Sequence, residues 1–432
     1  MNWQAYHRFL DHKNMYKYEG HVKKVVGLTI ESRGPEINVG NLCQIRADGK
    51  NIRAEVVGFN ENNLLLMPLG EMSGIGVGNS VFSMRETLSV KASYDLIGRV
   101  VDGLGNTIDD LGPVQSGLSY PLEKEPPSPL ERKEITKNLS LGIKAVDGLL
   151  TIGKGQRVGI FSGSGVGKST LIGMIARNTK ADINVVALIG ERGREVKDFI
   201  RKDLGEEGLK RTVVIAATSD QPALLRLKAA FTATAIAEYF RDQGNDVMLM
   251  MDSLTRFAMA QREIGLAIGE PPVSRGYTPS VFGLLPKLLE RSGNTQKGSI
   301  TGIYTVLVDG DDMNEPITDA ARGILDGHIL LSRKLANRGQ FPAIDVLGSV
   351  SRVMNDIIGD EHKKLAMKFR ETLATYRDAE DLINIGAYAK GSNPKIDYAI
   401  KCIDNITDFL RQEDDEQFQP EETLEELRRV LI

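Results

Sequence analysis

The sequence predicts an α/β fold with a mostly parallel sheet, preceded by a small β-barrel and followed by a helical region. Three observations predict it. Between residues 143 and 355, continuously apolar runs of strand length alternate with longer amphipathic segments, the pattern of strands buried on both faces by crossover helices. Ahead of them lie short strand-like runs broken by glycines, and after Gly359 the apolar residues recur at helical spacing. The chain of 432 residues has room for two or three domains and a core that needs no staples.

In order along the chain, Trp3–Tyr18 sets Trp3, Tyr6, Phe9 and Leu10 near one helical face, which fits either a short docking helix or a leader lying over the first domain. From Gly20 to about Val90 come Val22–Ile30, Leu42–Ile45, Ile52–Phe59 and Asn63–Pro68, punctuated by Gly34, Gly40, Gly49 and Gly58. Such spacing reads as an antiparallel barrel or sandwich, and closure would remove its edges. Gly74, Gly76 and Gly78 mark a tight return, and the prolines of Pro121–Pro129 make residues 120–137 a connector. The central alternation runs strand Arg157–Phe161, helix from Lys168, strand Asn184–Ile189, helix from Glu195, strand Thr212–Ala216, helix Ala223–Arg241, strand Asp246–Met251. Leu365, Phe369, Leu373 and Tyr376 then recur at helical spacing, and the acidic stretch from Asp408 to Glu426 reads as a solvated face. The expected division is 1–19, 20–90 (barrel), 91–355 (catalytic domain with its connector) and 356–432 (helical domain).

Composition excludes several classes. Cys43 and Cys402 stand far apart, with neither metal-knot nor disulfide spacing, which fits a reducing cytoplasm. A net charge of −4 gives no bulk attraction for nucleic acid. No apolar run approaches the roughly 20 residues that span a bilayer, so a membrane role is expected to be peripheral.

The chemistry is carried by Ser162-Gly-Ser-Gly-Val-Gly-Lys-Ser169, which follows an apolar strand and opens an amphipathic segment. Its glycines turn the backbone so that the N–H groups of Gly163, Ser164, Gly165, Val166, Gly167, Lys168, Ser169 and Thr170 can line a phosphate nest at a helix start. Lys168 would reach the β- and γ-phosphates, and Ser169 would offer its hydroxyl to Mg2+. The motif usually opens with glycine; Ser162 serves provided its φ stays negative. Asp252 ends a buried strand and is a second magnesium ligand. Glu191 in Gly190-Glu-Arg-Gly193 is the expected base for the attacking water, with Arg192 and Glu195 placed to hold it. Arg352 offers a charge for the transferring phosphoryl group, as a finger reaching into a neighbour's site. Phe341 and Tyr388 are candidates to flank adenine, although an aromatic at a loop edge also serves as core.

With these residues located, the chain closely resembles the flagellar protein-export ATPases, relatives of the catalytic subunit of rotary ATP synthases and of injectisome ATPases. The likeness is carried by Gly163–Ser169, Leu188–Ile200, Met251–Pro272, Gly276–Leu285, Gly298–Asp312, Ile324–Arg333 and Phe341–Met354. It implies a RecA-like catalytic domain, a six-stranded barrel and a hexamer with ATP sites between subunits. By similarity Lys168, Ser169, Asp252 and Glu191 keep the roles above, Arg192 is a site arginine, Arg352 is lent across the interface, and Phe341 and Tyr388 surround adenine. Arg275 receives no role. The likeness also implies a dimeric regulator on the amino-terminal segment, stalk and export-gate components, export substrates and chaperones at the carboxyl-terminal domain, and attachment at the inner face of the cell membrane. The loop Ser162–Gly167 resembles the flagellar form, whereas Asp203–Leu209 and Gly298-Ser-Ile resemble the injectisome form; the flagellar role is favoured. Two rivals remain in view. A nucleic-acid-dependent ring motor would need aromatic and cationic residues interleaved on the barrel, which the first domain lacks, and a non-catalytic ring component would not need Glu191 and Asp252.

Overall fold

The computed structural model describes residues 19–431 apart from 115, 309 and 311. The helix expected at Trp3–Tyr18 lies outside the described residues.

Six strands close into an antiparallel barrel: β1 Glu19–Val26, β2 Thr29–Arg33, β3 Asn41–Ala47, β4 Lys50–Asn60, β5 Asn63–Pro68 and β6 Ser80–Thr87, in the order β1-β2-β5-β4-β3-β6. Val22, Ile30, Cys43, Ile45, Ala54, Val56, Leu66 and Val81 fill its interior. The run Val22–Ile30, expected as one strand, is two. Gly27 takes a left-handed φ of 56°, and the chain folds back so that Val26 pairs with Thr29. A two-residue turn of that hand matches the twist of the strands it joins.

A ribbon of β7 Ser89–Ala92 with β9 Leu118–Pro121 leads into the connector, and β8 Val100–Val101 joins the edge of the main sheet. That sheet also contains β10 Arg157–Ser162, β11 Ile183–Glu191, β12 Thr212–Thr218, β13 Asp246–Asp252, β14 Gly293–Asn294, β15 Ser299–Leu307, β16 Gly327–Leu331 and β17 Val350–Ser351. Its order is β17-β16-β10-β15-β13-β11-β12-β8, parallel except at β17 and at β14, which pairs with β15. Eight of the nine residues of β11 and of β15 are buried, as in strands covered on both faces; most are apolar, with Asn184, Ser299, Thr301 and Thr305 the buried polar exceptions.

Successive side chains divide between two cores. Val185, Ala187 and Ile189 face the side covered by α4 (Ala223–Asp242) and α5 (Leu254–Ala267), whereas Val186 and Leu188 face the side of α1 (Lys144–Leu149) and α2 (Lys168–Asn178). On that second side α6 (Asp360–Asn384), α7 (Pro394–Leu410) and α8 (Pro420–Val430) complete the core through Phe369, Ile406, Phe409 and Leu427. The helix expected from Glu195 is α3 (Gly193–Asp198), which begins two residues earlier and runs into a π-helical turn at Phe199–Leu204. The acidic stretch expected as a solvated face is in part α8, an amphipathic helix whose Thr423, Leu427 and Val430 are buried. Its acids occupy the outward, solvated side of the same helix, as expected of the charge run; what charge density did not show is the buried side beneath them.

Candidate functional site

The order β10-β15-β13-β11 fixes the site, because it lines up the carboxyl ends of four parallel strands. Ligands of open α/β sheets bind along this edge. Ser162 ends β10, Asp252 ends β13 and Glu191 ends β11. Leu188 is paired with Asp252, so Glu191 projects beyond it. The register with β12 slips between Ile189 and Glu191, where Gly190 has a φ of 69°. The slip re-aims the carboxylate, and glycine is required: a side chain there would begin 3.2 Å from Cβ of Arg256.

Ser162 belongs to β10 and keeps an ordinary negative φ, so the chain turns at Gly165 (φ 76°) and Gly167 (φ 87°), the latter capping α2. Ser164 and Gly165 are exposed, Val166 is buried beneath them, and Ser169 opens to the outside from the first turn of the helix. The turn is thus an open cradle of N–H groups at the positive end of α2, suited to an anion.

Three charged groups meet at its mouth. The Lys168 ammonium donates to Asp252 Oδ1 and lies 3.9 Å from Glu191. All three side chains are mostly buried, at 13%, 6% and 14% exposure for Lys168, Asp252 and Glu191. Burial pushes the Glu191 carboxyl up to about 7, helped by a hydrogen bond with Glu195 and by the charge of Asp252, and opposed by Lys168 and Arg256. That bond holds Glu195 below the usual carboxylate range. A carboxylate so poised is a proton acceptor at neutral pH. The Ser169 hydroxyl and Asp252 are hard oxygen donors, the kind a magnesium ion takes.

The remaining expected residues lie as follows. Arg192 is 81% exposed and 3.7 Å from Glu195, outside the buried cluster. Phe341, 47% exposed, brings its ring edge within 3.5 Å of where a side chain on Gly167 would begin, so it flanks the loop. Its carbonyl accepts from the Gln412 N–H at 2.9 Å, tying it to the carboxyl-terminal segment. Tyr388 sits in the turn between α6 and α7; its single hydroxyl proton is shared between the Asn393 carbonyl and Asp397 Oδ1 in the first turn of α7, each 3.0 Å away, and among the described residues no hydrogen bond links it to the loop. Arg352 is exposed and bonds through its N–H to Asp326, whose own N–H bonds to Arg157 at the start of β10. The loop is at the other end of that strand, roughly 17 Å away at about 3.3 Å per residue. Arg352 therefore does not join the cluster of its own chain.

Sequence reading missed Arg256. It lies in the first turn of α5, packs over Gly190, and its charge acts on Glu191. Its Nε is buried without a hydrogen-bond partner among the described residues. The available signal was its position four residues after Asp252, just past a strand end.

Residues 142–351 match the ATP synthase alpha/beta family, nucleotide-binding domain; residues 22–84 match the beta-barrel domain of the same family. Residues 358–429 match the T3SS EscN ATPase C-terminal domain. The flagellum-specific ATP synthase of Bacillus subtilis is 59% identical over 95% of this chain and 94% of its own. That of Treponema pallidum is 53% identical over 95% and 92%. Among solved structures, the assembled ATPase EscN of the enteropathogenic E. coli type III secretion system aligns with a TM-score of 0.91 at 46% identity, covering 96% of this chain and all of that one.

Proposed function

The chain belongs to the ATP synthase alpha/beta family, in its group of flagellum-specific and type III secretion ATPases, and from that membership we propose the following working of its site. The protein hydrolyses ATP in the service of protein export. The observation that carries the reading is the meeting of Lys168, Asp252 and Glu191 at the mouth of a phosphate-binding turn.

The turn Gly163–Thr170 holds the phosphate tail through its N–H groups. Lys168, on a flexible four-carbon stem, moves from Asp252 onto the β- and γ-phosphates. Ser169 and Asp252 are the residues that would hold magnesium, which when bound offsets charge on the phosphate oxygens. Glu191 orients a water and takes its proton as the water oxygen bonds to the γ-phosphorus; the bond from that phosphorus to the bridging oxygen breaks, leaving ADP and phosphate. Arg256, beside Glu191, and Arg192, at the rim, supply further positive charge. Phe341 stacks against adenine. Tyr388 has only the family likeness in its favour, since its hydroxyl is engaged elsewhere.

Active sites lie between subunits of a hexameric ring, and Arg352 enters the neighbour's site. Its remoteness from its own loop supports this, as does likeness to an ATPase solved in assembled form. The flagellar role is supported by the 59% identity to the Bacillus subtilis protein. In that role residues 1–19 bind a dimeric regulator, and residues 356–432 meet stalk and export-gate components, substrates and chaperones. The ring works in the cytoplasm against the inner face of the membrane; among the described residues no helix is long and apolar enough to cross one.

Glu191→Gln tests the site. It keeps a side chain of the same shape, so ATP should still bind, while phosphate release falls about 100-fold or more through loss of the proton acceptor. Turnover near that of the wild type, with nucleotide affinity measured alongside, would remove Glu191 from this role. Export partners copurified from cell lysate distinguish the flagellar from the injectisome assignment.

A further inference from the structure

Asp252 has a second donor that hydrolysis, as derived above, leaves unused. Thr305 stands on β15, one step beyond Tyr304, which pairs with Met251 on β13. It is 1% exposed, and its hydroxyl lies 2.7 Å from Asp252 Oδ1 and 3.4 Å from the Met251 carbonyl. A hydroxyl has one proton to give, and the shorter contact, to a charged oxygen, takes it. Lys168 donates to the same Oδ1. Among the described residues no donor falls on Oδ2.

The two donors differ in freedom. Lys168 must leave Asp252, at least in part, to reach a phosphate, and its stem allows it. Thr305 is β-branched, on a central strand buried on both faces, and cannot follow. We propose that Thr305 is a positioning residue that keeps Asp252 Oδ1 engaged while Lys168 changes partner, so that Oδ2 continues to face the bound cation. The inference rests on Asp252 being a cation ligand, as in the function proposed above.

The test is Mn2+ binding in the presence of ADP, followed by electron paramagnetic resonance on purified full-length protein. Thr305→Val keeps the shape and removes the hydroxyl. It should weaken Mn2+ binding about 10-fold or more, the usual effect of losing a group that orients a metal ligand. Its affinity for ADP in EDTA should stay that of the wild type. Thr305→Ser should bind Mn2+ normally. Equal weakening in the Ser and Val variants would show that retaining the hydroxyl does not preserve Mn2+ binding, and would overturn the proposal. Asp252→Asn is the control: if it binds Mn2+ normally, the ligand assignment of Asp252 fails first. If it loses Mn2+ while Thr305→Val does not, only the role of Thr305 fails. Should the Val variant misfold, Thr305→Ser against Thr305→Ala differ in the hydroxyl alone and decide the same question.

Discussion

Asp147 illustrates how one residue carries a pH dependence away from the site. Its Oδ1 accepts from the Leu141 N–H at 2.9 Å, and its Oδ2 from the Gly142 N–H at 2.9 Å and the Ser140 hydroxyl at 2.7 Å, fastening the loop before α1. Burial still outweighs these bonds and pushes the carboxyl from 3.8 up to about 6. A carboxyl raised on folding keeps its proton where the unfolded chain has lost it, so stability falls as pH rises from 3.8 to about 6 and is level above. A rise from 3.8 to about 6 amounts to about 3 kcal/mol. Asp147→Asn abolishes this titration. Urea unfolding at acid and neutral pH should therefore show the wild type losing more stability than the variant across that window, and parallel losses would exonerate Asp147. At this scale Asp252 and Glu191 were legible because each ends an apolar strand, and Lys168 and Ser169 because they follow a glycine-rich turn that leaves one. Arg256 and Thr305 were not, since what they touch is set by strands distant in sequence.

Between elements, the barrel, the connector and α4 are joined through one ammonium. Lys228 of α4, 3% exposed, lies 2.8 Å from Glu55 of β4 and 2.7 Å from Glu123 of the connector. Burial pushes the Glu55 carboxyl up against the pull of Lys228, and Glu55 Oε2 has no partner among the described residues. Removing one member of a buried ion cluster strands its partners. Lys228→Met should thus cost about 3–5 kcal/mol, and adding Glu55→Gln should return part of it. Denaturation of the single and double variants measures this; with no recovery, docking of the barrel does not run through the pair. The elements themselves were largely legible. Burial on both faces made the parallel strands largely apolar runs, and glycines marked the barrel turns. The split of β1 from β2 was not, because the turn that divides them is marked by a lone glycine, Gly27, set between the apolar Val26 and Leu28. Nor was α8, whose inward Leu427 and Val430 are few among many acids.

For the whole molecule Arg352 is the residue that calls for a neighbouring subunit, since it stands at the wrong end of β10 to serve its own loop. In the proposed ring each interface combines the Lys168 of one subunit with the Arg352 of the next. Lys168→Ala and Arg352→Ala subunits should each be inactive alone. Mixed at equal ratio they should regain activity at roughly a quarter of the interfaces, those with both intact groups. An assembled mixed ring that never recovers would rule out a shared site. The sequence by itself determined the order of barrel, parallel sheet and helices and the phosphate-binding turn, because alternating burial, glycine punctuation and a strand–loop–helix junction are local properties of a chain. The tertiary structure alone decided that Glu191, Asp252, Arg256 and Thr305 form one cluster, that Phe341 flanks the loop while the Tyr388 hydroxyl is engaged in its own turn, and that Arg352 is remote from its own phosphate turn. Those relations follow from which strands lie side by side, and strand order is fixed by the packing of the two cores as a whole, not by any stretch of the sequence within one element.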